Sequence, residues 1–152
     1  MKLRIYSDTS AIGGCLDEEF SEVSSRLMGL FQRGEWVLVL SDLTLRELAR
    51  APDAVRRLLD AIPDDAIEMV SLTLEAAELA QAYLRAGVVS SKMRVDAEHI
   101  AVATVARVDV LVSWNFKHIV NLRRIQGYNS VNLRLGYPLL EIRTPREVLP
   151  DE

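Results

Sequence analysis

Three acidic residues lie far apart in the sequence, and each occupies a short apolar or helix-forming segment. Asp8 ends Leu-Arg-Ile-Tyr-Ser-Asp, Glu47 lies in Leu-Thr-Leu-Arg-Glu-Leu, and Asp96 opens Asp-Ala-Glu-His-Ile-Ala-Val-Ala-Thr. A fourth polar group, Asn115, follows the apolar run 108–112. Carboxylates that folding gathers at one point form a hard oxygen-ligand site, which suits Mg²⁺ or Mn²⁺. In a small domain, the chemistry of such a site is metal-assisted hydrolysis of a phosphodiester bond.

The elements that must position these residues alternate along the chain. Apolar runs predict buried strands, and runs with helical periodicity predict helices between them. The predicted strands are 3–7, 36–40, 67–72, 108–113 and 139–142, and the predicted helices are 18–32, 43–50, 53–61, 74–85 and 94–107. Strands that are apolar on both faces are typical of a parallel sheet covered by helices. We therefore expect an α/β three-layer sandwich with a central, mostly parallel, Rossmann-like sheet.

The candidate residues fall where such a sheet binds its ligands. Asp8 and the segment 113–115 follow two predicted strands, and ligands bind beyond the carboxyl ends of strands at the topological switch point. If the strand order is 3-2-1-4-5, these two strands are neighbours. Asp96 lies in the first turn of its predicted helix, where the helix dipole favours a carboxylate. His99 shares that helix face, and we interpret it as a buried histidine with satisfied hydrogen bonds rather than as a general base.

Composition limits the class of protein. The 152 residues, 49% hydrophobic and 26% charged, favour one folded domain covering 1–152 and exclude a disordered chain. No apolar run is long enough to cross a bilayer and no leader is evident, so a cytoplasmic location and no membrane partner are expected. The net charge of −4 argues against broad adhesion to nucleic acid. It favours a small, selective contact made by clustered basic residues.

Four sequence segments together resemble those of a known family. They are Asp-Thr-Ser at 8–10, Leu-Arg-Glu-Leu at 45–48, Asp-Ala-Glu-His-Ile-Ala-Val-Ala-Thr at 96–104, and Leu-Val-Ser-Trp-Asn-Phe-Lys-His at 111–118. Their order and spacing resemble those of PIN-domain proteins, the ribonuclease fold of VapC-type toxins from toxin–antitoxin pairs. Each segment is unspecific alone, but four in order cover nearly the whole chain. The resemblance implies a PIN-like fold.

The resemblance also implies an activity, a cofactor and partners. The activity would be a divalent-metal-dependent endoribonuclease, the toxin of a type II toxin–antitoxin pair, with Mg²⁺ or Mn²⁺ as cofactor. Its partners would be an RNA substrate, a small antitoxin protein and a second copy in a homodimer. By this resemblance the metal ligands are Asp8, Glu47 and Asp96, with Asn115 completing the catalytic set. Supporting hydrogen bonds would come from Ser10, Ser113 and Thr9, and contacts to RNA phosphates from Arg46, Lys117 and His118.

Asn115 departs from the family pattern, in which many members carry a fourth acid in this region. An amide can ligate through its oxygen but adds no charge, so we predict one firmly bound ion. The departure also keeps open an alternative, a catalytically weakened PIN-like module that binds RNA or protein without cutting. A haloacid-dehalogenase-type site is disfavoured because Ser10 stands where that type needs a second Asp. A receiver-type signalling domain is disfavoured because no acids are paired near the chain start.

Two further segments leave alternatives open. Trp114 and Phe116 flank Asn115, and they either form a stacking platform for bases or anchor the loop to the core. Arg123, Arg124, Tyr128 and Asn129 lie in a polar segment that either frames the cleft or is simply solvated.

Overall fold

The structure, a computed structural model, describes residues 2–151, and its centre is a five-stranded sheet. The strands are β1 (Arg4–Ser7), β2 (Val37–Ser41), β3 (Ile67–Val70), β4 (Val110–Val112) and β5 (Ile142–Arg143). All four strand pairings are parallel, in the order β3-β2-β1-β4-β5. The order 3-2-1-4-5 considered from the sequence is confirmed, and the chain reverses its direction of travel across the sheet between β1 and β4.

Eight α-helices connect and cover these strands within the described residues. They are α1 (Thr9–Gly13), α2 (Ser21–Gln32), α3 (Asp42–Leu48), α4 (Asp53–Asp60), α5 (Leu74–Arg85), α6 (Arg94–Val105), α7 (Leu122–Arg134) and α8 (Pro145–Val148). Side-chain caps fix several of their starts: Ser41 Oγ accepts the Thr44 amide at α3, and Thr73 caps α5 in the same way. Such caps satisfy backbone donors that a helix start leaves unpaired.

The sheet buries both faces, which explains its continuous apolar strands. Ile5 packs into one core with α2 and α4, whereas its neighbour Tyr6 packs into the other core with α5, α6 and α7. Successive strand residues point to opposite faces, so Asp8 is directed to the same side as Tyr6. That side carries α6, the helix of Asp96 and His99.

Three parts of the chain differ from the sequence-based expectation. The polar segment with Arg123, Arg124, Tyr128 and Asn129 is the helix α7, capped by Asn121, with Tyr128 fully buried. Its sequence is mostly polar, so its one narrow apolar face was not recognised. Because Gly127 has no side chain, the helix α7 approaches Val88 closely. The first long helix begins at Ser21 rather than at residue 18. The last strand, Ile142–Arg143, shares only residue 142 with the predicted 139–142.

No helix among residues 2–151 combines the length and apolar character needed to span a bilayer.

Candidate active site

Asp8 is held at the carboxyl end of β1, where it caps α1. The carboxylate is 5% exposed and accepts three hydrogen bonds. Oδ1 accepts from Ser10 Oγ at 2.8 Å and from the Ala11 amide at 3.0 Å, and Oδ2 accepts from Ser113 Oγ at 2.6 Å. Burial nevertheless raises the pKa of the Asp8 carboxyl, although these hydrogen bonds act in the opposite direction. Asp8 is thus rigid, and its negative charge is costly without a cation.

Asp96 lies in the first turn of α6 and is half-buried. Burial raises the pKa of its carboxyl, and the charge of Asp8 raises it further. A hydrogen bond from the Asn115 side chain acts against this rise. The two aspartates therefore lie close enough to repel each other, and a divalent cation between them would relieve that repulsion.

Glu47 lies on α3 and, together with Asp96, lines a surface cleft. Its side chain is 42% exposed. Its Oε1 accepts from Thr9 Oγ1 at 2.9 Å and from His99 Nε2 at 2.8 Å. The hydrogen bond from His99 lowers the pKa of the Glu47 carboxyl, opposite to the shift of the two aspartates. Glu47 is therefore the carboxylate of the site that most readily carries its charge without a metal.

Asn115 shapes the loop after β4. Its side-chain Oδ1 accepts from the backbone amides of Lys117 at 3.2 Å and His118 at 2.9 Å. Its backbone amide donates to Ser113 Oγ at 2.9 Å. The Asn115 side chain also lowers the pKa of the Asp96 carboxyl. Asn115 thus fixes the loop after β4 and belongs to the surroundings of the carboxylate on α6.

The cleft itself is a cavity of about 390 Å³ that touches both Glu47 and Asp96. The basic residues on its lining are Arg46, Arg50 and Lys92. Arg46 was predicted from the sequence, whereas Lys92 was not, because it lies in the turn before α6 and only the fold brings it to α3. These side chains place positive charge beside the carboxylates of Glu47 and Asp96.

The other two predicted phosphate contacts lie on the loop after β4. Lys117 is exposed, and His118 is half-buried with an Nδ1 atom that finds no hydrogen-bond partner among the described residues. Neither is among the residues that line the 390 Å³ cavity. The charge of His118 acts on Asp96 and lowers its pKa, so His118 belongs to the surroundings of that carboxylate.

The aromatic residues flanking Asn115 have different environments. Trp114 is 7% exposed, stacks on Phe20 with ring centroids 4.2 Å apart, and donates from Nε1 to Ser24 Oγ at 2.8 Å. Phe116 is 52% exposed, and its ring is tilted relative to the neighbouring rings of Phe20 and Trp114. Trp114 therefore anchors the loop to the core, and Phe116 presents an aromatic surface to solvent.

The metal-binding potential of the site rests on its donor chemistry. No three His, Cys, Asp or Glu side chains among residues 2–151 form a ready-made metal cage. Asp8 and Asp96 nevertheless supply hard oxygen donors whose mutual repulsion and burial favour a divalent cation, and Glu47 lines the adjoining cleft. The chemistry of these donors is that of a site for a hard divalent cation.

Tyr6 is a further residue of this region that was not predicted from the sequence. Its hydroxyl lies 2.6 Å from His99 Nδ1 and 2.7 Å from Ser41 Oγ. The expectation that His99 is buried and hydrogen-bonded agrees with its 2% exposure and with bonds at both ring nitrogens. The available signal was position: Tyr6 precedes Asp8 by two residues and His99 follows Asp96 by three, so each shares a face with an aspartate.

The architecture of this chain is similar to that of a toxin of known structure. The crystal structure of Mycobacterium tuberculosis VapC20, a toxin that cleaves the sarcin–ricin loop, matches with a TM-score of 0.57 and 17% identity. The match covers 75% of this chain and 92% of that chain. Protein-family models and curated proteins gave no match. The similarity establishes the fold, and the α/β three-layer, PIN-like sandwich expected from the sequence is confirmed.

Proposed function

We propose that this protein is a divalent-metal-dependent endoribonuclease. One observation carries the proposal: the charge of Asp8, which follows β1 at the switch point of the sheet, acts on Asp96, which lines a cleft with basic residues. Burial raises the pKa of both carboxyls, and the charge of Asp8 raises that of Asp96 further. Perturbed carboxyls that converge in a cleft are a common sign of a catalytic centre. The PIN-like fold, shared with VapC20, supports the same conclusion.

In the proposed mechanism, the residues of the site have distinct roles. Asp8 and Asp96 would hold Mg²⁺ or Mn²⁺, with Glu47 as a further ligand or as a ligand of its water. The chemistry a bound ion supplies is polarisation of the scissile phosphate, activation of water and stabilisation of developing negative charge. Ser10 and Ser113 fix the orientation of Asp8 through their hydroxyl donors. Asn115 orients Asp96 and, being neutral, supplies no base.

The RNA substrate would enter along the basic side of the cleft. Arg46, Arg50 and Lys92 line the cavity with Glu47 and Asp96, so backbone phosphates bound there would lie beside the metal ligands. On the loop after β4, Phe116 offers an exposed ring on which an RNA base would stack. Lys117, next to that ring, would contact a further phosphate. This arrangement suits a short contact, as expected for a protein with a net charge of −4.

The toxin role and the partners rest on the resemblance to VapC-type proteins. We infer a small antitoxin partner that places a basic residue among the carboxylates of the cleft, and a homodimer as the assembly. Charge complementarity supports the antitoxin contact, because an Arg or Lys there would pair with carboxylates that otherwise repel each other. Reversing the charge of that antitoxin residue should abolish inhibition.

The proposal is tested by incubating purified protein with total cellular RNA in Mn²⁺, Mg²⁺ or EDTA. Wild type is compared with Asp96→Asn and with Asp65→Asn, a matched change at an exposed turn residue. We expect discrete, metal-dependent fragments from wild type and Asp65→Asn and none from Asp96→Asn. Cleavage that persists in Asp96→Asn would point to a contaminating nuclease and contradict the proposal.

A second candidate function is a module that binds RNA or protein without cutting. Asn115 favours it, because the site has one carboxylate fewer than many PIN-domain nucleases. Folded wild-type protein that binds RNA but cuts none with any divalent metal would establish this alternative.

A further inference from the structure

A buried chain of hydrogen bonds runs from the core to the cleft and ends on Glu47. Ser41 Oγ lies 2.7 Å from the Tyr6 hydroxyl, which lies 2.6 Å from His99 Nδ1. His99 Nε2 in turn lies 2.8 Å from Glu47 Oε1. Ser41, Tyr6 and His99 are 0%, 0% and 2% exposed. The chain joins β2, β1, α6 and α3, so four separate elements meet at one carboxylate.

The chemistry of these groups fixes the direction of each hydrogen bond. An ionised carboxylate only accepts, so His99 must donate to Glu47 from Nε2. In the imidazole tautomer that carries its proton on Nε2, the Nδ1 atom is an acceptor and the Tyr6 hydroxyl donates to it. With its proton used there, the Tyr6 oxygen accepts from Ser41. Burial raises the pKa of the Tyr6 phenol, which keeps the donor proton on that oxygen.

The same contacts engage only one of the two carboxylate oxygens of Glu47. Both donors, His99 Nε2 and Thr9 Oγ1, end on Oε1. Oε2 is the remaining oxygen of a carboxylate that lines the cleft together with Asp96. A glutamate has three side-chain torsions, and a carboxylate that is 42% exposed would otherwise sample many rotamers.

We propose that Tyr6 and His99 are positioning residues, which hold Oε1 of Glu47 so that Oε2 is presented to the divalent cation or to its water. The inference rests on the proposed metal-dependent function and deepens it by assigning the residues that orient one of the ligands. Tyr6 selects the His99 tautomer, and His99 fixes the carboxylate. Neither residue contacts the substrate.

Four variants separate positioning from a merely structural role. His99→Phe removes the donor to Glu47, and His99→Gln restores an N–H donor at nearly the same place. Tyr6→Phe removes the hydroxyl that selects the tautomer. Its matched control is Tyr83→Phe, since Tyr83 is also fully buried and hydrogen-bonded, to Asn132 at 2.5 Å, but its hydroxyl does not contact His99.

The primary measurement is the Mn²⁺ dissociation constant of each folded protein without RNA, by electron paramagnetic resonance. Loss of an outer hydrogen bond to a ligand costs roughly 10–100-fold in metal affinity. We expect a loss of that size in His99→Phe, a smaller loss in Tyr6→Phe, and affinity near wild type in His99→Gln and Tyr83→Phe. In the cleavage assay at fixed Mn²⁺, kcat should fall for the first two variants while KM for RNA stays constant.

The outcomes distinguish this inference from the function on which it rests. Mn²⁺ binding by wild type with unchanged affinity in His99→Phe and Tyr6→Phe would overturn the positioning role and leave the nuclease proposal standing. If His99→Phe fails to fold, Tyr6→Phe against Tyr83→Phe decides, since equal Mn²⁺ affinities in those two would overturn the inference. Wild-type protein that binds no divalent cation would overturn the proposed function and this inference together.

Discussion

The hydroxyl of Ser113 donates to Oδ2 of Asp8 across 2.6 Å, and this bond connects the carboxyl ends of β4 and β1. These two strands are adjacent only because the chain changes direction between them, with Ser7 opposite Val112 in the register. The bond therefore lies at the switch point of the sheet. It holds a carboxylate whose pKa is raised by burial, so the ionised form of Asp8 costs the fold free energy.

Replacing Asp8 by asparagine should stabilise the metal-free protein at neutral pH. Burial raises the pKa of this carboxyl, so the ionised form is penalised, and a neutral amide can still bond with Ser10 and Ser113. We expect a gain on the order of 1 kcal/mol, or roughly 2–4 °C in Tm. The measurement is thermal unfolding in EDTA. A Tm of Asp8→Asn below that of wild type would show that the buried, ionised carboxylate of Asp8 does not destabilise the protein.

The pH dependence of this difference follows from the direction of the shift. A raised pKa means that the native state binds the proton more tightly than the unfolded state does, so wild-type stability falls as pH rises above the ordinary carboxyl pKa of 3.8. The advantage of Asp8→Asn should be absent below that pH, grow through the window up to the raised pKa, and then level off. Adding Mn²⁺ should raise the Tm of wild type but not of Asp8→Asn.

Replacing Asn115 by aspartate should create a second metal site. The aspartate can still accept the amides of Lys117 and His118, but it loses the donor to Asp96 and adds a charge beside it. We expect a lower Tm in EDTA, two bound Mn²⁺ ions rather than one, and a larger Tm increase on adding Mn²⁺.

Calorimetric titration with Mn²⁺ gives the stoichiometry for this comparison. Asn121→Asp is the matched control, because Asn121 also accepts two backbone amides through its Oδ1, at the start of α7, where an aspartate caps equally well. Two tightly bound ions in wild type would contradict the prediction that the amide weakens the second site.

The sheet could be predicted because its signals are local, whereas the ligand roles of Asp8, Glu47 and Asp96 stay predictions. Continuous apolar runs reveal buried parallel strands, and Asp8 and Asp96 lie at positions where a strand ends or a helix begins. The link from Tyr6 through His99 to Glu47 could not be predicted, since it depends on which strands are neighbours and on how α3 packs near α6. Lys92 was missed for the same reason. The helix α7 was missed because its composition is mostly polar and its apolar face is narrow.

Phe116 should contribute to RNA binding through stacking and little to stability. Its ring is 52% exposed, and it leans on the fixed Phe20–Trp114 pair, which limits its motion. Stacking of one base on an aromatic side chain is worth about 1–3 kcal/mol. In an Asp96→Asn background that prevents cutting, Phe116→Ala should weaken RNA binding by that amount and Phe116→Trp should retain it.

Fluorescence anisotropy with a labelled RNA that wild type cleaves measures this affinity. Leu122→Ala is the control, since Leu122 is an apolar side chain that is 73% exposed. RNA affinity that is equal in Phe116→Ala and Leu122→Ala would exclude a stacking role. Loss of antitoxin binding alone in Phe116→Ala would instead assign this ring to the protein partner.

Gly14 and Gly13 offer a test of how tightly Trp114 is packed behind the site. Both glycines have right-handed helical backbones, with φ near −57° and −62°, so alanine is conformationally acceptable at either position. A Cβ on Gly14 would lie 2.5 Å from Ser24 Oγ and 2.7 Å from Trp114 Nε1, whereas a Cβ on Gly13 meets nothing within 4 Å. The two substitutions therefore differ only in available space.

We expect Gly14→Ala to cost about 1–3 kcal/mol of unfolding free energy. Gly13→Ala should be neutral or stabilising by up to about 1 kcal/mol. Because the Trp114 amide donates to Ser10 Oγ, which in turn bonds to Asp8, displacing the indole should also lower cleavage and shift tryptophan fluorescence to the red. Denaturant unfolding, cleavage and emission spectra of the pair measure all three effects. Equal stability in the two variants would mean that Trp114 moves aside freely, and the loop carrying Asn115 would then not be anchored through that contact.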